Sequence, residues 1–311
     1  MSASGGTRAV LAALVANAGI AVAKFVGFAL TRSSAMLAEA IHSVADMSNQ
    51  ALLLLGGRRS RRAPTETHPF GHGRERYFWS FVVALVLFAV GAAFAIHEGI
   101  DKVRHPHEMD APALAVAILM AGIVLETWSL RTAVVEASPL RRGRTWWAFV
   151  VRSRNPELPV VLLEDVGALL GLVIALAAVG LSSITGEPRW DGVGTIAIGL
   201  LLAVIAVVLA REMQSLLIGE SADDDDRSAI TAAIGAAPGV VALIHLRTQH
   251  LGPDEILVGA QVSFDPTLDS AGVAAAVDDV ERLVRDAVPT AHPIYVEAAL
   301  PDQPTGSGNP S

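Results

Sequence analysis

Histidine and carboxylate side chains recur three or four residues apart within one apolar stretch near the N terminus. Within Ser34–Leu55, His42 and Asp46 are four residues apart. Glu39 and Asn49 continue the same stripe in both directions. Residues at this spacing share one face of an α-helix. Imidazole nitrogen and carboxylate oxygen are both ligands of Zn²⁺ and similar divalent ions, so the stripe indicates a metal-binding face.

A second acidic pair, Glu164 and Asp165, interrupts another apolar stretch that reads VVLLEDVGALLG. A carboxylate at membrane depth is costly, so it is by default a functional candidate whose partner should be found. Consecutive helical residues point about 100° apart, so these two carboxylates need not bind the same ion. Small residues in both stretches would let the two helices pack closely and bring the acidic groups together. The alternative to a metal site is a structural cluster of hydrogen-bonded polar side chains.

The composition of the 311-residue chain is that of an integral membrane protein, because 52% of its residues are hydrophobic and only 17% are charged. Six stretches are long enough to cross about 30 Å of hydrocarbon, which takes about 20 helical residues. The polar stripe interrupts the second stretch, which therefore cannot face lipid on all sides. The predicted spans are Ala9–Leu30, Ser34–Leu55, Phe78–Ile100, Pro112–Val135, Leu158–Leu181 and Val193–Ala210.

Arginines concentrate in the two loops that follow the second and the fourth predicted spans. Loops on the cytoplasmic side of a membrane carry the excess of Lys and Arg, so we expect both termini to be cytoplasmic. The membrane is expected to be an inner or plasma membrane. The arginines are Arg58, Arg59, Arg61, Arg62, Arg74 and Arg76 in one loop and Arg141, Arg142, Arg144, Arg152 and Arg154 in the other.

Four further polar residues at membrane depth are assigned structural roles. Lys24 and Arg131 have side chains long enough to reach the membrane surface by snorkelling. Asn17 and Glu126 are too short for this, so we expect them to line the inside of the helical bundle.

The last third of the chain has a different pattern, which predicts a small cytoplasmic α+β domain of ferredoxin-like order. The acidic run Asp223–Asp226 opens a helix, with Ser221 as its expected N-cap, because carboxylates suit a helix N terminus. Periodicity then predicts the order strand, strand, helix, strand. The predicted domains are 1–215 for the membrane helices, 216–300 for the α+β domain and 301–311 for a disordered tail. The elements are a helix to Ala237, strands Val240–His250 and Ile256–Phe264, a helix Ala271–Ala287 and a strand Ile294–Ala299.

Charge and cysteine content exclude two classes of function. From Glu220 onward the chain has 15 acidic and 4 basic residues, within a net charge of −8, and such a surface repels nucleic acid. The chain has no cysteine, so disulfides and thiolate chemistry are excluded.

Taken together, these motifs resemble the cation diffusion facilitator family of divalent-metal transporters. The resemblance is carried by SSAMLAEAIHSVADMSNQ in the second span, HPFGHGRERYFW before the third, LLEDVGALLG in the fifth, and the acidic-capped α+β tail. It implies a transport site formed by His42, Asp46 and Asp165. Glu164 is a further ligand in this interpretation, as in the subgroup whose fifth helix reads Glu-Asp.

Histidines outside the membrane are weighed separately. In the family, the loop before the third span can carry a second metal site, which would use His68 and His72 here. The alternative is an ordinary turn with an exposed histidine pair. The three tail histidines are expected to be surface residues without metal, so the tail should dimerise unaided. They are His245, His250 and His292.

The resemblance implies a homodimer in the lipid bilayer that exports Zn²⁺, or Co²⁺, Cd²⁺, Fe²⁺ or Mn²⁺, in exchange for protons. No cofactor and no enzymatic activity are expected. Ligands must lose protons to bind metal, which couples the two fluxes, and Glu39 is the candidate for the proton path. Two other functions stay open, namely an intramembrane metallohydrolase, which needs a metal-bound water and a base, and a metal sensor without transport.

Overall fold

A computed structural model describes residues 18–32, 34–106, 111–139, 141, 143–154 and 157–299. The chain divides into two compact units. The first takes the chain up to Ser60 and from Glu75 to Gln214. The second takes Arg61–Arg74 together with the chain from Ser215 onward. The residues expected to form a disordered tail, 301–311, lie outside the described residues.

The first unit is entirely helical in its described part. A π-helical segment, Val83–Phe88, joins α3 to α4 and makes one continuous helix, Glu75–Arg104. The helices are α1 Ala18–Thr31, α2 Ser34–Arg59, α3 Glu75–Val82, α4 Ala89–Arg104, α5 Pro112–Ala137, α6 Trp146–Arg152, α7 Glu157–Thr185 and α8 Arg189–Ile218.

Four helices of the described part are long and apolar enough to cross a membrane, and they coincide with the third to sixth predicted spans. The second span forms the 26-residue helix α2, but polar residues interrupt its apolar sequence. Only the second half of the first span, α1, lies within the described residues. The multi-pass helical architecture is therefore as predicted, while the number of six spans stays a prediction. The four helices are Glu75–Arg104, Pro112–Ala137, Pro159–Thr185 and Arg189–Ile218.

Glycines let α4 and α8 approach at backbone distance. A Cβ atom added to Gly99 would lie 2.7 Å from the carbonyl oxygen of Gly192. A Cβ atom on Gly192 would lie 2.9 Å from the backbone nitrogen of Val103. Small residues at such crossings are how membrane helices pack, since lipid provides no hydrophobic force between them.

The second unit contains an α+β domain in the predicted order of helix, strand, strand, helix and strand. Strand β2 is central, pairing antiparallel with β1 and parallel with β3. The alternate β2 residues Ile256, Val258, Ala260 and Val262 are buried in a separate core with both helices. The elements are α9 Asp224–Gly235, β1 Val240–Gly252, β2 Glu255–Phe264, α10 Ser270–Ala287 and β3 Ala291–Ala299.

Two details of this domain differ from the sequence prediction. The N-cap of α9 is Asp223, whose carboxylate accepts a hydrogen bond of 2.9 Å from the backbone of Asp226. The expected cap, Ser221, lies two residues too early. His250 is only 4% exposed and is not a surface histidine, because the end of β1 is covered there and its backbone N–H donates to the carbonyl of Glu220 at 2.8 Å. His245 and His292 are exposed, as expected.

Candidate functional site

Both acidic residues of the fifth predicted span are buried on α7. Glu164 is 4% exposed and Asp165 is 8% exposed. The Ser129 hydroxyl on α5 donates to the Asp165 carboxylate, at 3.3 Å from each of its oxygens. Asp165 therefore points toward α5, and a hydroxyl group fixes its orientation.

Two contacts fix how α5 lies against α7. Ser129 contacts Asp165, and a Cβ atom added to Gly122 would lie 3.1 Å from the side chain of Leu172. From the first contact to the second, the residue number falls by seven on α5 and rises by seven on α7. This is the signature of antiparallel helices in fixed register over about 10 Å. The absence of a side chain at Gly122 thus helps to place Ser129 beside Asp165.

Glu126 and Lys24 extend the polar group around Asp165. Glu126 lies one helical turn before Ser129, hence on the same face of α5, and interacts electrostatically with Asp165. Lys24 on α1 is the cation that acts on Glu126. Lys24 is only 2% exposed, so the expectation that it snorkels to the membrane surface is wrong. Glu126 is half-buried, in accordance with its expected place in the bundle, whereas Asn17 lies outside the described residues.

The burial of Lys24 follows from how α1 packs. One turn after Lys24, a Cβ atom on Gly27 would lie 2.7 Å from Ile118 of α5 and 2.6 Å from Met36 of α2. The missing side chain at Gly27 thus lets α1 lie directly against both helices. A lysine one turn away is enclosed, so its side chain stays inside the bundle.

The predicted ligands of the second span lie on α2, which packs against α7. Ala40 and Ser43 are buried, so one face of α2 lies inside the unit at this level. For Glu39, His42 and Asp46 the structure describes the helical backbone but not the side chains. Among the side chains that are described, no three His, Asp or Glu residues are close enough to hold a metal ion.

The loop that carries the predicted second site brings its two histidines together. The rings of His68 and His72 have centroids 4.7 Å apart and are tilted by 37°. Reciprocal backbone hydrogen bonds of 3.1 Å between Thr65 and His68 close a turn. This loop belongs to the second unit, where a Cβ atom on Gly73 would lie 2.7 Å from the carbonyl of Leu251. The loop thus contains a turn, as the ordinary-turn interpretation expects. It also brings the two histidines together, as the metal-site interpretation expects.

Both parts of the chain match sequence models of known protein domains. The sequence model described as the Cation efflux transmembrane domain matches residues 10–218, and the one described as the Cation efflux protein, cytoplasmic domain, matches residues 222–297. The chain belongs to the cation efflux family. The predicted membership of the cation diffusion facilitators is thereby confirmed, and the chain is a multi-pass membrane protein. The assignment to a Glu-Asp subgroup stays a prediction.

Curated relatives differ in how much of their length this cation efflux protein covers. It is 34% identical to the proton-coupled zinc antiporter SLC30A9, mitochondrial, of Mus musculus over 83% of this chain and 46% of the relative. The chain thus spans about half the length of that relative. It is 26% identical to the cation-efflux pump FieF of Cronobacter sakazakii, over 81% of this chain and 79% of FieF. Among solved structures, a MamM C-terminal domain in nickel form is 21% identical to this chain. The match covers 26% of this chain and all of that domain, with a TM-score of 0.25.

Ser129 is the site residue that the sequence reasoning missed, and Lys24 and Glu126 were assigned too narrow a role. A serine in an apolar helix carries no signal of its own, because serine is common at membrane helix contacts. The available signal was the spacing of Glu126 and Ser129, three residues apart in a predicted span.

Proposed function

We propose that this cation efflux protein exports Zn²⁺, or a similar divalent cation, across the membrane in exchange for protons. The observation that carries the proposal is the buried Asp165 carboxylate on α7, which packs against the helix bearing His42 and Asp46. A buried carboxylate in a membrane unit needs a cation or a proton as its partner. The names of SLC30A9 and FieF, a zinc antiporter and an efflux pump, support the same activity.

Proton coupling follows from the chemistry of the ligands. His42 binds metal only when neutral, and Asp46 and Asp165 bind it only when ionised, so metal binding displaces protons. Protonation on the opposite side of the membrane then releases the metal, and alternating access converts this competition into exchange. Glu164 serves as a further ligand or as an acceptor for one, and Glu39 passes protons to water.

Lys24 gives the site an internal cation. Its ammonium group neutralises Glu126 and, through it, part of the charge at Asp165 while the metal site is empty. A divalent ion then has to compete with this fixed positive charge. Such competition weakens metal binding and speeds release, which suits a transporter better than a storage site.

The remaining assignments concern the arrangement in the cell. The protein works as a homodimer, without catalysis, in an inner or plasma membrane with both termini cytoplasmic. Residues 1–215 transport the ion, 216–300 form the cytoplasmic domain, and 301–311 a tail. His68 and His72 are the candidate ligands of a second metal site in the arginine-rich loop.

The test is metal flux in proteoliposomes with an imposed pH gradient and a Zn²⁺ indicator inside. In the wild-type chain, Zn²⁺ should enter the vesicles when the proton gradient drives protons out of them. Asp165→Asn and Asp46→Ala should each abolish this flux. Glu136→Gln, which removes an exposed carboxylate from α5, is the matched control and should transport normally. Wild-type protein without flux would refute the transport function. Normal flux in either aspartate variant would refute the site but not the function.

A further inference from the structure

The short helix α6 lies where two membrane spans end and has no part in the proposed transport. It connects α5, which ends at Ala137, to α7, which begins at Glu157. Its first turn is capped by Thr145, whose hydroxyl accepts a hydrogen bond of 3.2 Å from the backbone of Ala148. Its sequence, WWAFVVR, places two tryptophans between the end of α5 and the start of α7.

One face of α6 is anchored to the bundle. Phe149 is 6% exposed and packs in a cluster with Ala137 of α5 and Leu162 of α7. Trp147 lies two residues earlier, about 200° around the helix, and therefore on the opposite face. It is 62% exposed. The anchor thus holds a large aromatic side chain outward at the end of the spans.

Arg141 is held against this helix by an aromatic ring. Its guanidinium carbon lies 4.8 Å from the ring centre of Trp146, in cation–π geometry. The Trp146 ring in turn meets Phe149 edge to face, at 6.3 Å between ring centres. Among the residues that the structure describes, Arg141 forms no salt bridge, and its buried Nε atom has no hydrogen-bond partner. Within the described part of the chain, no carboxylate therefore neutralises the Arg141 guanidinium group.

The charge around α6 fits one kind of anion. Residues 138–156 contain five arginines and no acidic residue. Tryptophan prefers the headgroup level of a bilayer, and the planar guanidinium group binds phosphate through two parallel hydrogen bonds. We propose that α6 and Arg141 form a docking site for the headgroup of an anionic phospholipid. The Arg141 guanidinium binds the lipid phosphate, and Trp147 inserts beside the acyl chains.

The test measures which lipid lies against Trp147 in the full-length protein. The protein is reconstituted with phosphatidylcholine plus brominated phosphatidylglycerol, or plus brominated phosphatidylcholine, and tryptophan fluorescence quenching is recorded. The difference between wild type and Trp147→Phe isolates this residue from the other four tryptophans. Phosphatidylglycerol should quench Trp147 at lower fractions than phosphatidylcholine. Arg141→Gln should reduce this preference about fivefold, the effect of one surface arginine.

Controls separate a specific site from general surface charge. Arg104→Gln removes an exposed arginine at the end of α4 and should leave the preference unchanged. An equal preference for both lipids in wild type, or an equal loss in the Arg104 variant, overturns the proposal. Absence of Trp147 quenching also overturns it, because a second copy or another protein then covers α6. If Arg141→Gln does not fold, Arg141→Lys takes its place, since lysine cannot form the bidentate pair, and an unchanged preference again overturns the proposal.

Discussion

The Ser129 hydroxyl of α5 lies 3.3 Å from both carboxylate oxygens of Asp165 on α7. A hydroxyl shared between two oxygens holds the carboxylate plane in one orientation without neutralising its charge. The contact also joins the two helices whose register the packing of Gly122 against Leu172 defines. Asp165 is thereby held in one orientation toward α5.

Removing the Ser129 hydroxyl should weaken metal binding more than it slows transport at saturating metal. A hydrogen bond to a charged group contributes roughly 1.5–3 kcal/mol, and this long one belongs at the lower end, so Ser129→Ala should raise the KM for Zn²⁺ roughly tenfold. Ser129→Thr keeps the hydroxyl and should restore a KM close to wild type. The measurement is the concentration dependence of flux in proteoliposomes. Equal KM values for the alanine and threonine variants would exclude the hydroxyl as the cause.

Replacing the buried Lys24 should change KM and kcat in the same direction. Lys24→Gln removes the cation that competes with metal, so we expect a lower KM and slower turnover as release becomes limiting. Adding Glu126→Gln removes the unbalanced negative charge and should return both values toward wild type. Lys102→Gln, which changes a buried lysine of α4, is the matched control. If Lys24→Gln raised KM instead, the proposed competition would be wrong.

The backbone contact between α4 and α8 should tolerate no side chain. Gly192→Ala places a Cβ atom within 2.9 Å of backbone atoms, which cannot move aside as a flexible side chain could. Overpacking of this kind costs about 1–3 kcal/mol. Gly180→Ala on α7 adds the same atom where nothing lies within 4 Å and should be neutral or slightly stabilising. Thermal unfolding in one detergent compares the two, and equal melting temperatures would contradict the proposed packing.

The long helices were well predicted from the sequence, because a membrane span can be recognised from the length and the apolar character of a stretch alone. The prediction failed on α6, since seven residues are too few to give a span signal and their aromatic content equally fits the end of a span. It failed on Lys24, because snorkelling depends on whether a neighbouring helix closes over the side chain, which the glycine at position 27 decides. His250 was misjudged for a similar reason. The alternation of apolar and polar residues along β1 predicts a strand, but it does not show that other residues cover the end of that strand.

A pH dependence of stability should come from Asp265 in the loop after β2. Its carboxylate accepts hydrogen bonds from the hydroxyl and the backbone N–H of Thr267, at 2.7 and 2.8 Å, and these lower the pKa of Asp265. A lowered folded-state pKa stabilises the fold above the unfolded-state pKa of about 3.9, and this contribution is lost as pH falls through the folded-state pKa. Asp265→Asn should therefore lower the melting temperature of the C-terminal domain at neutral pH. The difference from wild type should shrink below about pH 4, and a constant difference would show that charge is not involved.

The C-terminal domain should fold and dimerise without metal. It has its own core, in which Ile230 and Ile234 of α9 and Val280 and Val284 of α10 pack on the sheet. Among the residues that the structure describes, its histidines and carboxylates form no group of three that could hold a metal ion. Histidines that lie apart from one another on an acidic surface bind divalent ions weakly and without fixed stoichiometry. The measurement is sedimentation and Zn²⁺ calorimetry on the fragment 221–301. A fragment that dimerises only when metal is added, or a tight stoichiometric isotherm, would show that this domain contains a regulatory metal site.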